Sequence, residues 1–546
     1  MTQHSSSQSP ASPGPPTLSP SAHADTFCRD NLPPLGLWPV LDLGALDYGD
    51  RLNCATALLD QTIDRLGADR PCLRSPDGTV WSYGQLRTHA NRIAAVLVDD
   101  LGLVPGNRVL LRGYNEPWLV ACWFAVLKAG GVAVTTMPLL RAGELATMAE
   151  LCRPSIALCD RRLTGDLRRA EIPGLTTVSY GAAEPDDLCV RAAGKPEAFD
   201  DVATAADDVA LLAFTSGTTG RPKGTMHFHR DVLAIADTFS AHVLRPEPDD
   251  VFTGTPPIGF TFGLGGLVVF PLRAGASVLL LERGAPEVLV DAVAGHGVTV
   301  LFTAPTAYKA ILAAGLADRL AGVRRAVSAG EALPASVWQG VHDAAGLRII
   351  DGIGATEMLH IFISAADDDI RPGSTGRAVP GYTAVILDDD GRPVPDGTPG
   401  HLAVRGPTGC RYLRGDRQEV YVRDGWNVTG DTYVRDADGY FVYQARTDDM
   451  IVSAGYNIAG PEVELALLGH PEVVDCAVVG APDAERGMVV KAFVVLRPGR
   501  TRDVPAEELQ DFVKQAIAPY KRPRVVEFVD ELPRTSTGKL QRYRLR

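Results

Sequence analysis

Several features that mark other classes of protein are missing from this chain of 546 residues. No run of apolar residues approaches the ~18–20 that a membrane-spanning helix requires, so the sequence predicts no membrane partner. Basic residues are outnumbered, with 53 Lys and Arg against 66 Asp and Glu, and the net charge of −13 argues against nucleic acid as a partner. The nine cysteines include no closely spaced CxxC pair and their number is odd, which favours a reduced, cytoplasmic setting.

The N-terminal segment also lacks the pattern of a targeting signal. Its sequence, MTQHSSSQSPASPGPPTLSPSAHADTF, has neither a basic start nor an apolar stretch. The abundance of Ser and Pro is typical of chains that cannot bury a core, so we predict a disordered tail over residues 1–35.

The chain does contain an alternation of helices with short apolar strands. Ser82 and Gln85 form a capping-box pair that predicts a helix start, and a strand at 109–111 is followed by a helix at 118–128. Repeated units of strand, helix and strand predict parallel sheets flanked by helices. We therefore expect an α/β fold with a large N-terminal domain, a small β region after the turns at 388–400, and a small C-terminal α/β lid.

Three strands of the predicted large domain end in small and polar residues. VTVLF (298–302) leads into TAP, RAV (325–327) into SAGE, and LRII (347–350) into DGIG. Ligands of open parallel sheets bind beyond the carboxyl ends of the strands, so we expect these loops to line one crevice.

The densest set of anion-binding groups is TSGTTGRPKG, residues 215–224, which follows the apolar run VALLAF. Its glycines let backbone N–H groups approach a phosphate, its hydroxyls donate further hydrogen bonds, and Lys223 adds positive charge. It is not a P-loop of the GxxxxGK[ST] type, because Pro222 and Gly224 replace the glycine and the hydroxyl that flank the lysine there. A flexible Gly/Thr loop is the structural alternative to a phosphate-binding loop.

This segment resembles the phosphate loop of the acyl-adenylate-forming superfamily, which includes acyl-CoA ligases, luciferases and the adenylation domains of peptide synthetases. Other segments resemble further motifs of the family in the expected order, so the resemblance spans roughly residues 50–546. They are SAGEAL (328–333) and GATE (354–357), similar to nucleotide-binding strand ends, WNVTGD (426–431), similar to the ribose-binding segment, RTDDMI (446–451), similar to the hinge, and PRTSTGK (533–539), similar to the catalytic-lysine loop.

The resemblance implies that ATP and Mg²⁺ are cofactors and that each matching residue has a role. Glu357 is implied as the Mg²⁺ ligand, Thr356 as a contact to the α-phosphate, and Lys539 as the cation that neutralises the attacked phosphate. Asp431 is implied as the acceptor of both ribose hydroxyls, with Arg446 beside it.

The implied catalytic set is Lys539, Glu357, Thr356 and Lys223. The other implied nucleotide-binding residues are Thr215, Ser216, Gly217, Thr218, Thr219, Gly220, Lys223, Gly330, Glu331, Ala332, Asp351, Gly352, Ile353 and Gly354. The alternatives are a turn cap for Asp431, a surface acid for Glu357 and a solvated charge for Lys539.

The same resemblance implies the domain division and the second reaction step. A large AMP-binding domain is expected over residues 36–445 and a mobile lid domain over 446–546, with Asp448 as the hinge residue. In CoA ligases of this family the lid rotates and forms a thiol tunnel, in which Gly455 would leave room for pantetheine. The positions that match binding sites for the CoA nucleotide are Tyr520, Arg522 and Arg524, although a solvated basic loop is the alternative.

The segment DGIGATEMLHIFIS (351–364) is similar to that of benzoate-CoA and 2-aminobenzoate-CoA ligases more than to that of fatty acyl ligases. It has Ile353 where the commoner form has Tyr, so an aliphatic side chain would cover the adenine. By this resemblance the acyl pocket is lined by Phe260, Thr261, Phe262, Gly263, His360 and Ile361, with Phe260 as an aromatic gate. Aromatic walls and one imidazole suit a small, flat acid, and ordinary core packing is the alternative for Phe262 and His360. The absence of a carboxylate from residues 259–266 weakens an α-amino acid as the substrate.

These features predict a cytoplasmic, ATP-dependent aryl acid–CoA ligase. A benzoate-like carboxylate and ATP would give acyl-AMP and pyrophosphate, and the thiol of CoA would then give aryl-CoA and AMP. One alternative is an adenylating enzyme that passes the acyl group to a carrier protein in trans or to another nucleophile. A second is a non-catalytic nucleotide-binding scaffold. We expect a monomer or a homodimer.

Overall fold

The computed structural model describes residues 18–182, 184–215, 222–282, 284–415, 417–446, 449–453, 456–483, 487–498, 504–517, 519–534 and 540–546. In chain order, the α-helices of these residues are α1 (Phe27–Asp30), α2 (Gln61–Leu66), α3 (Tyr83–Ala95), α4 (Pro117–Lys128), α5 (Ala142–Cys152), α6 (Thr164–Arg169), α7 (Leu188–Ala193), α8 (His229–Ile235), α9 (Thr261–Leu264), α10 (Phe270–Ala274), α11 (Pro286–His296), α12 (Pro305–Ala313), α13 (Ala335–Ala345), α14 (Gln418–Tyr421), α15 (Gly460–Leu468) and α16 (Ala506–Ala516). Four segments of π-helix directly adjoin these α-helices: Thr56–Asp60, Val96–Asp100, Ala236–Leu244 and Gly265–Val269.

The strands form two larger and two smaller sheets. In chain order they are β1 (Pro71–Arg74), β2 (Val80–Ser82), β3 (Arg108–Arg112), β4 (Val132–Thr136), β5 (Ile156–Asp160), β6 (Thr176–Tyr180), β7 (Val209–Thr215), β8 (Lys223–Phe228), β9 (Val251–Gly254), β10 (Ser277–Leu279), β11 (Val300–Thr303), β12 (Arg325–Ala329), β13 (Ile349–Gly354), β14 (Ile361–Ser364), β15 (Arg377–Ala378), β16 (Thr383–Leu387), β17 (Gly400–Arg405), β18 (Val422–Arg423), β19 (Trp426–Arg435), β20 (Phe441–Arg446), β21 (Met450–Ser453), β22 (Tyr456–Ala459), β23 (Val473–Asp483), β24 (Gly487–Leu496) and β25 (Val525–Phe528).

The two larger sheets are mainly parallel, which confirms the predicted fold class. The nine-stranded sheet has the order β15-β14-β13-β12-β11-β9-β10-β1-β2, with parallel pairing from β1 through β13 and antiparallel strands at its edges. The six-stranded sheet has the order β6-β5-β3-β4-β7-β8 and is parallel except for the β7–β8 hairpin. Helix α4 is apolar all round and every side chain from Leu119 to Lys128 is buried, as expected for a helix enclosed by other elements.

The two smaller sheets follow in the chain. The first has the order β16-β17-β19-β18, with β20 pairing with β19, and its strands are antiparallel. The second has the order β22-β21-β24-β23, with β25 parallel to β24, and α15 and α16 belong to the same part of the chain. The apolar core of this last part includes Ile458, Val478 and Leu509.

Residues 18–35 differ from the disordered tail that is predicted over residues 1–35, because they are packed against the six-stranded sheet. Residues 1–17 lie outside the described part of the chain. Cys28 in α1 is fully buried in an apolar cluster. Arg108 of β3 forms an ion pair with Asp25, and the amide of Asn107 donates to the same carboxylate at 2.8 Å. Ser and Pro content does not reveal these contacts, since they depend on single side chains whose partners lie far away in the sequence.

Candidate active site

The carboxyl ends of β11, β12 and β13 lie side by side, as the sequence predicts. Thr303 pairs with Ser328, and Ser328 pairs with Asp351, in parallel register. The loop at residues 330–332, which follows β12, and the turn at 356–358, which follows β13, therefore leave the same edge of the nine-stranded sheet.

Two glycines of β13 are required by close packing. A Cβ atom on Gly354 would lie 2.7 Å from the carbonyl oxygen of His360, and one on Gly352 would lie 2.8 Å from the Ile361 side chain. Larger residues would push β14 away from β13. Ile361, predicted to line the acyl pocket, is buried against this strand.

The turn at residues 356–358 is held by two hydrogen bonds to its backbone. His227 Nε2 lies 2.8 Å from the carbonyl oxygen of Thr356, and the hydroxyl of Thr408 donates to the carbonyl of Met358 at 2.8 Å. A carbonyl oxygen only accepts, so Nε2 of His227 carries a proton. Both donors are fully buried, and the turn consequently has a fixed position relative to β8.

Glu357, the predicted Mg²⁺ ligand, lies in this turn with 9% of its surface exposed. The hydroxyl of Tyr412 donates to Glu357 Oε1 at 2.5 Å. The ammonium group of Lys223 lies 5.6 Å from the centre of the Tyr412 ring. Burial lowers the pKa of Lys223, and Arg417 lowers it further, whereas Glu357 opposes the shift. A cation and a carboxylate thus share one polar region, and Tyr412 contacts both.

A second acidic residue lies at the same region, on the neighbouring small sheet. Asp431 of β19 is opposite Arg446 of β20, and Arg446 Nη1 donates to Asp431 Oδ1 at 3.0 Å. The hydroxyl of Tyr421 is enclosed and has no hydrogen-bond partner among the residues that the structure describes. Burial raises the pKa of Tyr421, and Glu357 and Asp431 both add to the shift, which places these two carboxylates near the same hydroxyl.

Tyr412 and Tyr421 were missed by the reasoning from sequence. Their rings lie 6.0 Å apart in an edge-to-face arrangement, and they flank the polar segment LRGDRQEV. Two tyrosines on either side of a short charged loop were the available signal, since such loops often contact ligands.

Asp351 lies one residue before the end of the parallel part of β13 and has an unusual environment. The residue is only half-buried, but Oδ1 of its carboxylate is enclosed and has no hydrogen-bond partner in the described part of the chain. Burial raises the pKa of Asp351 to about 8, against opposing contributions from the backbone N–H of Gly352 and the hydroxyl of Ser328. The carboxyl group is therefore largely protonated at neutral pH.

We expect Asp351→Asn to stabilise the protein in a pH-dependent way. The folded state raises the pKa of this acid above its ordinary 3.8, so wild type loses stability as the pH rises from about 4 to about 8, whereas a neutral amide does not. The thermal midpoint of the variant should exceed that of wild type by about 2–4 °C or more at pH 9 and by much less at pH 5. Differential scanning calorimetry at the two pH values measures both differences, and equal differences would contradict the assignment.

The predicted acyl-pocket residues Phe262 and His360 lie in an aromatic cluster. The His360 ring lies 5.7 Å from Phe262, 4.6 Å from Phe270 and 5.4 Å from Phe239 between ring centres. Burial lowers the pKa of His360 to about 3, so the imidazole is neutral. Neither of its ring nitrogens has a hydrogen-bond partner of good geometry in the described residues.

The start of α9 holds the remaining acyl-pocket candidates. Phe260, Thr261 and Phe262 are all half-buried there, whereas Gly263 is buried. A Cβ atom on Gly263 would lie 2.1 Å from the carbonyl oxygen of Pro257, so this helix can approach the preceding loop only with glycine at that position. The structure therefore brings Phe262 and His360 together and places Phe260 and Thr261 beside them.

Other predicted site residues lie at the edge of this region or outside the described residues. Thr215 ends β7 and pairs with Lys223, Gly330 and Ala332 are exposed after β12, Glu331 and Ile353 are half-buried, and Thr356 is half-buried in its turn. The residues outside the described part of the chain are Ser216, Gly217, Thr218, Thr219, Gly220, Asp448, Gly455 and Lys539.

The segment that carries Lys539 has both of its ends described. The N–H of Gln541 donates to the carbonyl of Pro533 at 2.8 Å, and Arg534 and Leu540 form an antiparallel bridge. Arg534 also pairs with Asp475 at 2.7 Å. The base of this loop is therefore closed and attached to β23.

The predicted CoA-binding side chains lie on the last part of the chain. Tyr520 is 43% exposed, Arg522 is half-buried and Arg524 is exposed. Their segment is attached through Lys521, whose ammonium group pairs with Glu462 at 2.6 Å. Their role in CoA binding stays a prediction.

The family model described as AMP-binding enzyme matches residues 59–412, and the model described as AMP-binding enzyme C-terminal domain matches residues 462–539. The chain belongs to the AMP-binding enzyme family. This confirms the resemblance found in the sequence.

Among the relatives of this AMP-binding enzyme, the benzoate–CoA ligase of Thauera aromatica is 34% identical over 515 residues, covering 92% of this chain and 97% of the relative. The 4-hydroxybenzoate–CoA/benzoate–CoA ligase of Rhodopseudomonas palustris is 33% identical over 510 residues, covering 90% of this chain and 94% of that relative.

A solved structure of the family shares the fold of this AMP-binding enzyme. The crystal structure of an anthranilate CoA ligase in complex with anthranoyl-AMP superposes with a TM-score of 0.86 at 33% identity, covering 92% of this chain and 98% of that one. Within the described ranges, the structure contains no helix with the length and apolarity needed to cross a membrane. The same residues include no group of three or more His, Cys, Asp or Glu side chains arranged to hold a metal ion.

Proposed function

We propose that the protein is an ATP-dependent aryl acid–CoA ligase. A carboxylate and ATP give aryl-AMP and pyrophosphate, and the thiol of CoA then displaces AMP to give aryl-CoA. The observation that carries this proposal is the convergence of Glu357, Lys223 and the Asp431–Arg446 pair in one polar region at the carboxyl edge of the nine-stranded sheet. The names of the relatives support an aromatic acid as the substrate.

Adenylation brings two anions together, because a carboxylate attacks the α-phosphorus of ATP. Positive charge must offset their repulsion and stabilise the charge that develops in the transition state. In this proposal Lys223 supplies such charge beside the phosphate loop, and Lys539 supplies it at the attacked phosphate. Asp431, oriented by Arg446, accepts hydrogen bonds from the ribose hydroxyls and positions the nucleotide.

The residues present suit Mg²⁺ as the cofactor that accompanies ATP. Mg²⁺ is commonly held by one or two carboxylates together with phosphate oxygens and water, and a cage made only of protein groups is not required. Glu357 provides one carboxylate, of which Oε1 accepts from Tyr412. The bound ion would neutralise phosphate charge.

The acyl site favours a flat, uncharged ring. His360 is neutral and Phe262 lies beside it, so these walls offer aromatic contact without a formal charge. Residues 259–266 contain no carboxylate that could pair with an ammonium group. Benzoate and its amino or hydroxy derivatives satisfy both conditions.

We also propose that the chain acts as two domains, 36–445 and 446–546, with the hinge at Asp448. Tyr520, Arg522 and Arg524 would contact the CoA nucleotide, since an aromatic ring and two guanidinium groups suit adenine and phosphate. The chain would act in the cytoplasm, which accords with nine cysteines that are all free. Transfer to a carrier protein in trans is the alternative second step.

ATP–pyrophosphate exchange across a panel of acids tests the proposed first step. We expect exchange with benzoate, 2-aminobenzoate and hydroxybenzoates, and at least about tenfold lower kcat/KM with hexanoate, because loss of the aromatic contacts removes transition-state binding. Mass analysis with and without CoA tests the second step. If none of the aryl acids supports exchange, the proposed adenylation is refuted. If aryl-AMP accumulates and does not react with CoA, CoA is refuted as the acceptor.

A further inference from the structure

Tyr412 contacts two groups of opposite charge in the site. Its side chain is 3% exposed, its hydroxyl donates to Glu357 Oε1, and its ring lies 5.6 Å from the ammonium group of Lys223. A hydrogen bond from a hydroxyl to a carboxylate is charge-assisted and directional. A cation within about 6 Å of the ring centre of a tyrosine is attracted by the face of the ring.

Lys223 and Glu357 form no direct ion pair with each other in the described part of the chain, although the charge of Glu357 acts on Lys223. A half-buried lysine near a buried glutamate would ordinarily form such a pair, since pairing offsets the cost of burying both charges. A direct pair would occupy the carboxylate that Mg²⁺ needs and the ammonium group that a phosphate needs. Tyr412 contacts both groups, the ammonium group with its ring and the carboxylate with its hydroxyl.

We propose that Tyr412 is a positioning residue that separates Lys223 from Glu357 and orients the Glu357 carboxylate for Mg²⁺. The inference rests on the proposed ATP chemistry of this site. The hydroxyl and the ring have separate tasks. The hydroxyl fixes one carboxylate oxygen and leaves the other for the metal ion, and the ring holds the ammonium group away from the carboxylate.

The backbone of Tyr412 is fixed independently of its hydroxyl. Its N–H donates to Gln418 Oε1 at 3.0 Å, and the residue forms an antiparallel bridge with Thr225 of β8. The next residue, Leu413, donates its N–H to the carbonyl of Gly224 at 2.8 Å. Loss of the hydroxyl should therefore leave the position of the ring unchanged.

Isothermal titration of ATP into Tyr412→Phe, with Mg²⁺ or with EDTA, tests the task of the hydroxyl. We expect ATP affinity in Mg²⁺ to fall about tenfold, because the carboxylate loses its charge-assisted bond, and affinity in EDTA to stay within about twofold. Tyr48→Phe is the matched control. It removes a hydroxyl that donates to the carboxylate of Asp237 at 3.1 Å, and both affinities should equal those of wild type.

Tyr412→Leu tests the task of the ring. Without the ring Lys223 can pair directly with Glu357, so ATP affinity should fall in EDTA as well as in Mg²⁺, by about tenfold in each. Thermal unfolding of both variants checks that the fold is kept, and Tyr412→Phe alone is sufficient if the leucine variant does not fold.

The outcomes separate this inference from the proposed function. Equal losses for Tyr412→Phe in Mg²⁺ and EDTA, or no loss in either, would overturn the positioning role while leaving the ligase proposal intact. Wild-type protein that does not bind ATP in Mg²⁺ would overturn both.

Discussion

Replacing Lys539 by alanine is expected to lower ATP–pyrophosphate exchange by at least about a hundredfold while ATP binding stays nearly intact. A unit charge about 4 Å from a phosphate oxygen is worth about 4 kcal/mol at an effective dielectric constant of about 20, or roughly a thousandfold in rate. The variant should lose rate and keep ATP affinity because this charge acts on the pentacoordinate transition state more than on bound ATP. Lys539 lies outside the described residues, but the closed base at Arg534 and Leu540 gives its loop a fixed attachment.

Lys514→Ala provides the matched control for this prediction. Lys514 is exposed near the end of α16, in the same C-terminal part of the chain, and its removal should change exchange less than about twofold. Formation of aryl-CoA from supplied aryl-AMP should also stay within a few-fold in Lys539→Ala, because that step does not involve attack on phosphorus. Unchanged exchange in Lys539→Ala would remove this lysine from the mechanism.

The second large effect is on stability, and it concerns the ion pair between Asp231 and Arg411. Both side chains are completely buried, and Arg411 Nη2 donates to Asp231 Oδ2. Asp231 also accepts from the N–H of Phe228 at 3.0 Å. Asp231→Ala should lower the free energy of unfolding by about 3–5 kcal/mol, because it leaves the guanidinium group buried without a counter-charge. Urea unfolding followed by tryptophan fluorescence measures the change.

The matched control is Asp237→Ala, which removes the partner of Arg273 in a half-buried pair and also the acceptor of the Tyr48 hydroxyl. That pair is accessible to solvent, with side-chain exposures of 31% and 21%, so its loss should cost only about 1 kcal/mol or less. The pH dependence adds a second check. Although burial alone would raise the pKa of Asp231, Arg411 holds it below its ordinary 3.8, so wild type keeps this stabilisation above about pH 4 and loses it as the pH falls further. A cost of Asp231→Ala no larger than that of Asp237→Ala would contradict the assigned role of the pair.

The fold and the order of the site motifs are predictable from local sequence. The capping box at Ser82 and Gln85 is present, and the predicted helix at 118–128 begins one residue earlier, at Pro117, because proline is well suited to the first turn. The parallel order of β11, β12 and β13 follows from short apolar strands that end in small polar residues. These features depend on neighbours in the chain, so a single sequence reveals them.

The side-chain contacts that hold the site residues in position are not predictable in this way. His227 and Thr356 are 129 residues apart and Tyr412 and Glu357 are 55 apart, and no local pattern joins them. The raised pKa of Asp351 likewise depends on what surrounds its carboxylate in the folded chain. The packed segment at residues 18–35 is a third case, since its composition predicts disorder and its partners lie in distant strands.

Oxygen-isotope transfer tests the central claim most directly. The protein would be incubated with benzoate labelled with ¹⁸O in both carboxylate oxygens, together with ATP, Mg²⁺ and CoA, and the products analysed by mass spectrometry. Attack of the carboxylate on the α-phosphorus predicts AMP that carries one ¹⁸O atom and benzoyl-CoA that retains the other. AMP without label, or label in pyrophosphate, would contradict an acyl-adenylate intermediate.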